Sequence, residues 1–127
     1  MIQGIGVDIV DVERIKQRIT SNSGFCELVF SLEEIAYCTK KANPYESFAA
    51  RFAAKEAFLK AVGTGIDFTI ELKEIQVLNT EFGKPYFKQT SISEQYLMTQ
   101  LGYIPDIQLS LSHTYQQAIA FVLFNKI

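Results

Sequence analysis

The sequence predicts an α+β fold in which a small, mostly antiparallel sheet packs against one long central helix and several shorter helices. A helical pattern with clear end signals runs from Asn43 to Gly63. Further helix-start signals occur on both sides of it, and the remaining segments alternate apolar and polar residues as strands do. At 127 residues the chain has the size of one domain, taken as 1–127.

The first strand is predicted from Ile2 to Val10, with Gly4, Gly6 and Asp8 on one face. Two glycines in a strand mark a place where another backbone or a ligand comes close. Asp8 is therefore either a residue that ends the strand or a functional carboxylate beside a bare patch. The G-I-G segment is not a dinucleotide fingerprint, because Ile9 occupies the third glycine position and no strand-to-helix turn is predicted there.

Two helices are predicted before the central one. Asp11 is the expected N-cap of the first, and a capping box of Ser31 and Glu34 opens the second, which runs to about Lys41. The outward face of the first helix carries three basic residues: Arg14, Lys16 and Arg18. This basic ridge is either a solvated face or a docking surface for an acidic protein partner.

The central helix has well-marked ends. Asn43 is its predicted N-cap, Pro44 fits the first helical position, Glu46 is placed as a capping-box acid, and Gly63 provides a left-handed stop. Most of its other positions are apolar, which leaves little of the helix for water.

Two charged residues of this helix, Glu56 and Lys60, lie one turn apart in a narrow stripe between bulky apolar residues and alanines. Arg51 and Lys55 project from a different sector. One interpretation of Glu56 and Lys60 is an intrahelical ion pair worth a few tenths of a kcal/mol. The alternative is a catalytic or metal-binding carboxylate with a cation beside it.

Strands predominate beyond Gly65. A strand at residues 70–77, with a bulge near Lys73, is predicted to form a hairpin whose loop runs from Asn79 to Lys84. A capping box of Ser91 and Glu94 opens a helix that stops at Gly102. A half-buried strand then ends at residue 113, and the final apolar segment is predicted to be a central strand covered on both faces.

The single histidine, His113, stands at the end of the penultimate strand in S-H-T. Such a residue is either structural or a donor presented at a strand terminus. The glycines of a G-x-S-x-G nucleophile elbow are absent, so acyl transfer assisted by histidine has no support.

Composition excludes several classes of function. The net charge of −2 argues against broad nucleic-acid binding, and no apolar run approaches the length of a membrane span. Cys26 and Cys38 are not spaced as C-x-x-C, and with one histidine they form no zinc ligand set. The N-terminal segment has no pattern of a secretory signal, so the expectation is a cytoplasmic protein with reduced thiols and no membrane contact.

Three blocks of the sequence resemble the small, bacterial-type holo-acyl-carrier-protein synthases. They are G-I-G-V-D-I-V-D-V-E-R-I at Gly4 to Ile15, R-F-A-A-K-E-A-F-L-K-A-V-G-T-G at Arg51 to Gly65, and S-H-T at Ser112 to Thr114. The resemblance spans essentially the whole chain. It implies the phosphopantetheinyl transferase fold and transfer of the 4′-phosphopantetheine arm of coenzyme A to a serine of apo acyl carrier protein for fatty acid synthesis. It also implies a homotrimer with active sites between subunits.

The resemblance also implies roles for individual residues. Asp8 and Glu56 match the family's Mg²⁺ ligands, and Lys60 would stabilise phosphate charge. Deprotonation of the serine would fall to a metal-bound water or to one of the two carboxylates. The carrier would dock on the basic ridge at Arg14 and Arg18. Residues expected around the coenzyme A are Arg51, Gly63, Thr64, Gly65, Lys84, Pro85, His113 and Thr114.

One position departs from the family pattern. Phe82 precedes Gly83 where a small or polar residue is expected, which affects only the adenine-side contact. A competing hypothesis is a non-catalytic trimeric module that binds coenzyme A or a carrier protein. The presence of Asp8, Glu56 and Lys60 argues against it, because a binder needs no metal pair.

Overall fold

The computed structural model describes residues 1–65 and 69–126 and confirms the α+β class. The strands are β1 (Ile2–Asp11), β2 (Val77–Asn79), β3 (Pro85–Phe87), β4 (Asp106–His113) and β5 (Gln117–Asn125). The helices are α1 (Val12–Thr20), α2 (Phe25–Val29), α3 (Leu32–Thr39), α4 (Pro44–Val62) and α5 (Ser91–Leu101), with a 3₁₀ turn at Leu72–Glu74. Within the described residues, no helix is long and apolar enough to cross a membrane.

The main sheet has three antiparallel strands in the order β1-β5-β4. The predicted central position of β5 is confirmed. Its predicted coverage on both faces is wrong for the single chain, because α4 covers only one face of the sheet. On the outer face Ile119 is 39% exposed and Phe121 is 41% exposed, whereas Ala120 and Val122 are fully buried beneath α4.

The two strand glycines allow α4 to lie directly against β1. A Cβ atom added at Gly6 would lie 1.8 Å from the carbonyl oxygen of Ala57, and one at Gly4 would lie 2.4 Å from that of Ala61. Real Cβ atoms do not approach backbone so closely, so no other residue fits at Gly6 without moving the helix. The predicted close approach is confirmed, and the approaching backbone is that of α4.

The helix ends agree only partly with the predicted signals. The capping box of Ser31 and Glu34 is present, with reciprocal hydrogen bonds of 3.2 and 3.0 Å. The box predicted at Ser91 and Glu94 is shifted by one residue and consists of Thr90 and Ser93. Ser93 replaces the expected acid because its short hydroxyl also reaches the N-cap backbone.

Capping of α4 also differs from the prediction. The side chain of Asn43 makes no cap hydrogen bond. Glu46 does not complete a capping box, since its carboxylate lies 3.4 Å from Nδ1 of His113. Gly63 does end the helix in the left-handed conformation, at φ 100°.

The strand predicted at residues 70–77 is wrong. This segment contains the 3₁₀ turn Leu72–Glu74 and only the start of the short strand β2. Instead of joining a strand ladder, the carbonyl oxygens of Leu72 and Ile75 both accept hydrogen bonds from the buried Lys55. The hairpin loop predicted at Asn79 to Lys84 is confirmed between β2 and β3.

Candidate active site

A cluster of two carboxylates and a lysine lies where β1 contacts α4. Asp8 is on the face of β1 that carries the glycines, so the close approach of α4 brings the helix's charged stripe to it. Lys60 Nζ donates hydrogen bonds to the carbonyl oxygen of Val7 at 3.0 Å and to Oδ1 of Asp8 at 3.2 Å. The side chain of Asp8 is only 19% exposed, whereas that of Lys60 is 51% exposed.

Glu56 completes this cluster. Burial raises the pKa of its carboxyl group above the ordinary value, and the nearby charge of Asp8 raises it further, while Lys60 and Arg14 oppose the shift. The charge of Asp8 is therefore close enough to disfavour ionisation of Glu56. The sequence-predicted residues Asp8, Glu56 and Lys60 are brought together in one chain.

The interpretation of Glu56 and Lys60 as an intrahelical ion pair does not describe this geometry. Of the ion pairs found in residues 1–65 and 69–126, the one that involves Lys60 joins it to Asp8 on the neighbouring strand. Glu56 is left half-buried next to a second carboxylate, which costs free energy unless a cation is bound.

The donor set fits a hard divalent cation. Two neighbouring carboxylates supply oxygen ligands, and a cation between them would relieve the repulsion that raises the pKa of Glu56. In the described part of the chain, no group of three or more histidine, cysteine and acidic side chains is placed to hold a metal ion. A bound Mg²⁺ would therefore take its remaining ligands from water and from a substrate phosphate, as Mg²⁺ commonly does.

A second cluster surrounds Arg51, which is only 3% exposed. Its Nη1 donates to Oγ of Ser47 at 2.9 Å, its Nη2 donates to Oδ1 of Asn79, and its guanidinium stacks on the ring of Tyr37 at 4.4 Å. Its Nε has no hydrogen-bond partner within residues 1–65 and 69–126. Among the described residues no carboxylate pairs with Arg51, so this buried cation is suited to bind an anion.

A cleft of about 340 Å³ opens beside Arg51. His113 lines it from the end of β4, and Glu46 and Lys41 line it from the helical side. The ammonium of Lys41 lies 4.5 Å from the centroid of the Tyr37 ring. The cleft therefore has a positively charged and aromatic wall, which suits a phosphate attached to a flat base.

The structure places these two clusters on different sides of the molecule. Asp8 is on β1 and His113 is on β4, and β5 separates these two edge strands. On α4, Arg51 and Glu56 are five positions apart, which corresponds to a rotation of about 140° around the helix axis. The predicted coenzyme A residues thus divide into two groups within one chain.

The remaining predicted residues lie on loops or, for Pro85, at the start of a strand. Lys84 is exposed, and Pro85 begins β3 after the hairpin turn. The hydroxyl of Thr114 accepts hydrogen bonds from the backbone of Gln116 and Gln117 at 3.2 and 3.1 Å, so it stabilises the β4–β5 turn. In Gly63–Gly65 all three backbone amides donate to the carbonyl oxygen of Leu59, and the hydroxyl of Thr64 lies 2.9 Å from that of Tyr96.

Sequence reasoning missed several residues of the Arg51 cleft. Tyr37 and Lys41 are one helical turn apart in the sequence, but their spacing is common on surface helices and carries little information. The sequence pattern places Asn79 only in the hairpin loop. Its side chain also donates to the carbonyl oxygen of Gly83 at 3.0 Å and so joins the hairpin to Arg51.

The comparison with known proteins identifies the class to which this fold and this site belong. Residues 4–120 match the model of the 4′-phosphopantetheinyl transferase superfamily, and the chain belongs to this superfamily. Within it, the chain is 66% identical over 126 residues to the holo-[acyl-carrier-protein] synthase of Cytophaga hutchinsonii, an alignment that covers 99% of each chain.

Solved structures of similar sequence share the fold. The crystal structure of the holo-[acyl-carrier-protein] synthase from Neisseria meningitidis aligns with a TM-score of 0.87 at 36% identity and covers 99% of this chain and 100% of its own. That of the synthase from Bacillus anthracis, in complex with CoA (3′,5′-ADP), aligns with a TM-score of 0.78 at 34% identity and covers 98% of this chain and 96% of its own.

Proposed function

We propose that this protein is a Mg²⁺-dependent transferase that moves the 4′-phosphopantetheine arm of coenzyme A to a serine of apo acyl carrier protein. The products are 3′,5′-ADP and a holo carrier protein for fatty acid synthesis. The observation that carries this proposal is the cluster of Asp8, Glu56 and Lys60 in a chain of this superfamily. The two free thiols, Cys26 and Cys38, are compatible with a reducing compartment such as the cytoplasm.

The reaction is a displacement at phosphorus. The serine oxygen forms a bond to the β-phosphorus of coenzyme A, the bond from that phosphorus to the oxygen bridging to the α-phosphate breaks, and the hydroxyl proton passes to a water or to one of the two carboxylates. A bound Mg²⁺ supplies charge neutralisation at the pyrophosphate. Asp8 and Glu56 are the residues that would hold the ion, and Lys60 adds a positive charge beside them that stabilises the leaving phosphate.

The Arg51 cleft is proposed to bind the 3′-phosphate and adenine end of coenzyme A. Arg51 is buried, held in place by Ser47 and Asn79, and has no carboxylate partner in the described chain. These features favour binding of a phosphate by the guanidinium. His113 and Lys41 add donors at the cleft, and the hairpin with Lys84 and Pro85 is attached to Arg51 through Asn79.

The separation of the two clusters favours a homotrimer in which each active site combines two chains. One chain would supply Asp8, Glu56 and Lys60, and its neighbour would supply Arg51 and His113. The outward positions of β4 are polar, but the part of the outer sheet face formed by β1 and β5 supports such an assembly, because it carries a set of exposed apolar side chains. Those exposed by at least 39% are Ile2, Ile5, Val7, Ile9, Ile119 and Phe121.

The acyl carrier protein is proposed to dock on α1. Arg14 and Arg18 are exposed, and the guanidinium of Arg18 lies 5.7 Å from the centroid of the Phe25 ring. Arg14 also acts on the charge of Glu56, so this end of α1 lies beside the proposed metal ligands. An acidic carrier held at Arg14 would therefore present its serine close to the reacting phosphate.

The test is an intact-mass measurement of an apo acyl carrier protein after incubation with this protein and coenzyme A. Parallel reactions contain Mg²⁺ or an excess of a chelator. The proposal predicts that the carrier gains the mass of one phosphopantetheine with Mg²⁺ and gains nothing with the chelator. If several apo carriers gain no mass, the non-catalytic binding module is the better hypothesis; if the gain persists in chelator, the metal role is wrong.

A further inference from the structure

Lys55 is a charged residue that the proposed transfer does not use, although it is adjacent to Glu56. Its side chain is fully buried. All three donors of the ammonium are used: Nζ lies 2.7 Å from Oε1 of Glu34, 2.9 Å from the carbonyl oxygen of Leu72 and 2.7 Å from that of Ile75. Burial lowers the pKa of Lys55 to about 8, so the group is still mostly charged at neutral pH.

The partner carboxylate extends this network to further elements. Oε1 of Glu34 accepts the backbone N–H of Ser31 at 3.0 Å, and Oε2 accepts that of Val77 at 3.0 Å. The pair therefore connects α4 to the start of α3, to the 3₁₀ turn and to β2. Each bond has a preferred direction, so together they fix where Lys55 lies and which way it points.

The apolar contacts of α4 also help to fix its rotation, because Ala57 and Ala61 lie directly against Gly6 and Gly4 on one side of the helix. Residues 51–55 are all buried, and five consecutive positions cover more than one full turn of a helix. Six alanines, Ala49, Ala50, Ala53, Ala54, Ala57 and Ala61, share one side of α4, within an arc of about 140°. A side made of small, similar residues tolerates small rotations at little cost, and a directional buried polar group on another side narrows the rotation further.

Rotation of α4 matters because Lys55 and Glu56 are consecutive residues, about 100° apart around the axis. Lys55 is held on one side of the helix, and Glu56 lies on the side that meets β1. A carboxylate roughly 6 Å from the axis moves by about 1 Å when the helix turns by about 10°. A misplacement of about 1 Å is enough to cost roughly 100-fold in rate.

We propose that Lys55 is a positioning residue for the transfer: its bonds to Glu34, Leu72 and Ile75 fix the rotation of α4 that holds Glu56 beside Asp8. This inference rests on the proposed function for the identity of the metal ligands. It can be tested separately from the proposed function, because the placement of Glu56 can be measured without turnover.

The experiment uses the full chain with three substitutions. Lys55→Met removes the ammonium but keeps a flexible side chain of similar length, and Glu34→Gln keeps the shape of the partner but removes its charge. Leu97→Ala, a 3% exposed core residue of α5, is the matched control. It should lower the melting temperature about as much as the loss of a buried ion-pair partner does.

Two measurements are made well below the melting temperature of each variant. Binding of Mn²⁺ is titrated by electron paramagnetic resonance, without carrier protein. Amide chemical shifts of Gly4–Asp8 on β1, across α4 from Lys55, are recorded by nuclear magnetic resonance in the metal-free protein. We expect Lys55→Met and Glu34→Gln to weaken Mn²⁺ binding at least tenfold and to shift these amides, and Leu97→Ala to do neither.

The inference is overturned if both charge variants bind Mn²⁺ as the wild type does, or if Leu97→Ala weakens binding equally, since the effect would then be general loosening. If Lys55→Met does not fold, Glu34→Gln decides alone. Transfer by the wild type, measured by carrier mass, is recorded separately. Failure of that transfer contradicts the proposed function, whereas the Mn²⁺ and amide results still decide whether Lys55 positions Glu56.

Discussion

Substitution of Gly6 by alanine tests whether the contact between β1 and α4 is as close as the structure shows. The added Cβ atom would lie 1.8 Å from the carbonyl oxygen of Ala57 and 2.9 Å from the backbone nitrogen of Ala61. These two atoms are the acceptor and the donor of one hydrogen bond within α4, and the added Cβ atom would clash with both. Because ordinary contact begins at 3.4 Å, the helix and strand must separate by about 1.6 Å.

The expected cost follows from the fact that both clashing groups are backbone. Overpacking in a core costs about 1–3 kcal/mol when side chains can adjust, and here they cannot. We expect a loss of at least about 3 kcal/mol, which for a chain of this size lowers the melting temperature by roughly 10 °C or more. The same separation moves Glu56 away from Asp8, so turnover of the folded fraction should fall by roughly 100-fold.

The assay is thermal and urea unfolding followed by circular dichroism. Gly102→Ala is the control, because Gly102 has φ +82° and no atom within 4 Å of an added Cβ. Its substitution strains the backbone by about 1–2 kcal/mol without any steric clash. A Gly6→Ala protein within about 1 kcal/mol of the wild type, or more stable than Gly102→Ala, would show that the helix does not lie on the strand as described.

Further predictions address the site and the assembly. Glu56→Gln should reduce carrier modification at least about 100-fold. The pKa of Glu56 is higher in the folded protein than the value of 4.5 expected in the unfolded chain. Without metal, the wild type should therefore lose stability as the pH rises from 4.5 through the folded-state pKa. Glu56→Gln should remove this loss, which is measured by melting temperatures across pH in the presence of a chelator. Arg51→Gln should raise KM for coenzyme A roughly 10- to 100-fold but leave KM for 3′-dephospho-coenzyme A unchanged; equal effects on both would contradict phosphate binding. Arg14→Glu should raise KM for the carrier about tenfold, more at low salt, without changing KM for coenzyme A. Phe121→Asp should dissociate the trimer in light scattering, and an unchanged mass would place the interface elsewhere.

The central helix was predictable because its ends carry strong local signals. Pro44 and Gly63 act through backbone conformation alone, and the structure begins and ends α4 at these residues. The glycines of β1 were also informative, since their cost in a strand requires a compensating contact. These features depend on neighbouring residues in the chain, and sequence reasoning handles them well.

Contacts between distant residues could not be predicted in the same way. The sequence places Lys55 only on a different sector of α4 from Glu56, whereas in the structure it is fully buried. Its partner Glu34 lies 21 positions earlier in the chain, so no local pattern reveals the pair. Lys55 also donates to the carbonyl oxygens of Leu72 and Ile75, at the 3₁₀ turn Leu72–Glu74 that occupies the position of a predicted strand. Helical spacing offers Glu56 as a partner for Lys60, whereas in the folded chain Lys60 pairs with Asp8 on β1.

The candidate site likewise combines features that are visible in local sequence with features that only the fold creates. Asp8 and Glu56 are each unusual in their own segment, their role as metal ligands is implied by the family resemblance, and the fold brings them together. The distance between this cluster and the Arg51 cleft depends on the strand order β1-β5-β4, which no local pattern specifies. Only the structure shows that the predicted coenzyme A residues form two groups.

The most direct test of this account mixes two inactive variants. Its central claim is that each transfer site combines Asp8 and Glu56 of one chain with Arg51 of a neighbouring chain. Glu56→Gln and Arg51→Gln proteins are unfolded together, refolded as mixed trimers and assayed by carrier mass at coenzyme A concentrations far below KM. The account predicts that about a quarter of wild-type activity returns, because about a quarter of randomly assembled sites contain both intact residues. If the refolded mixture has no more activity than the average of the two variants, each site lies within one chain and the claim is wrong.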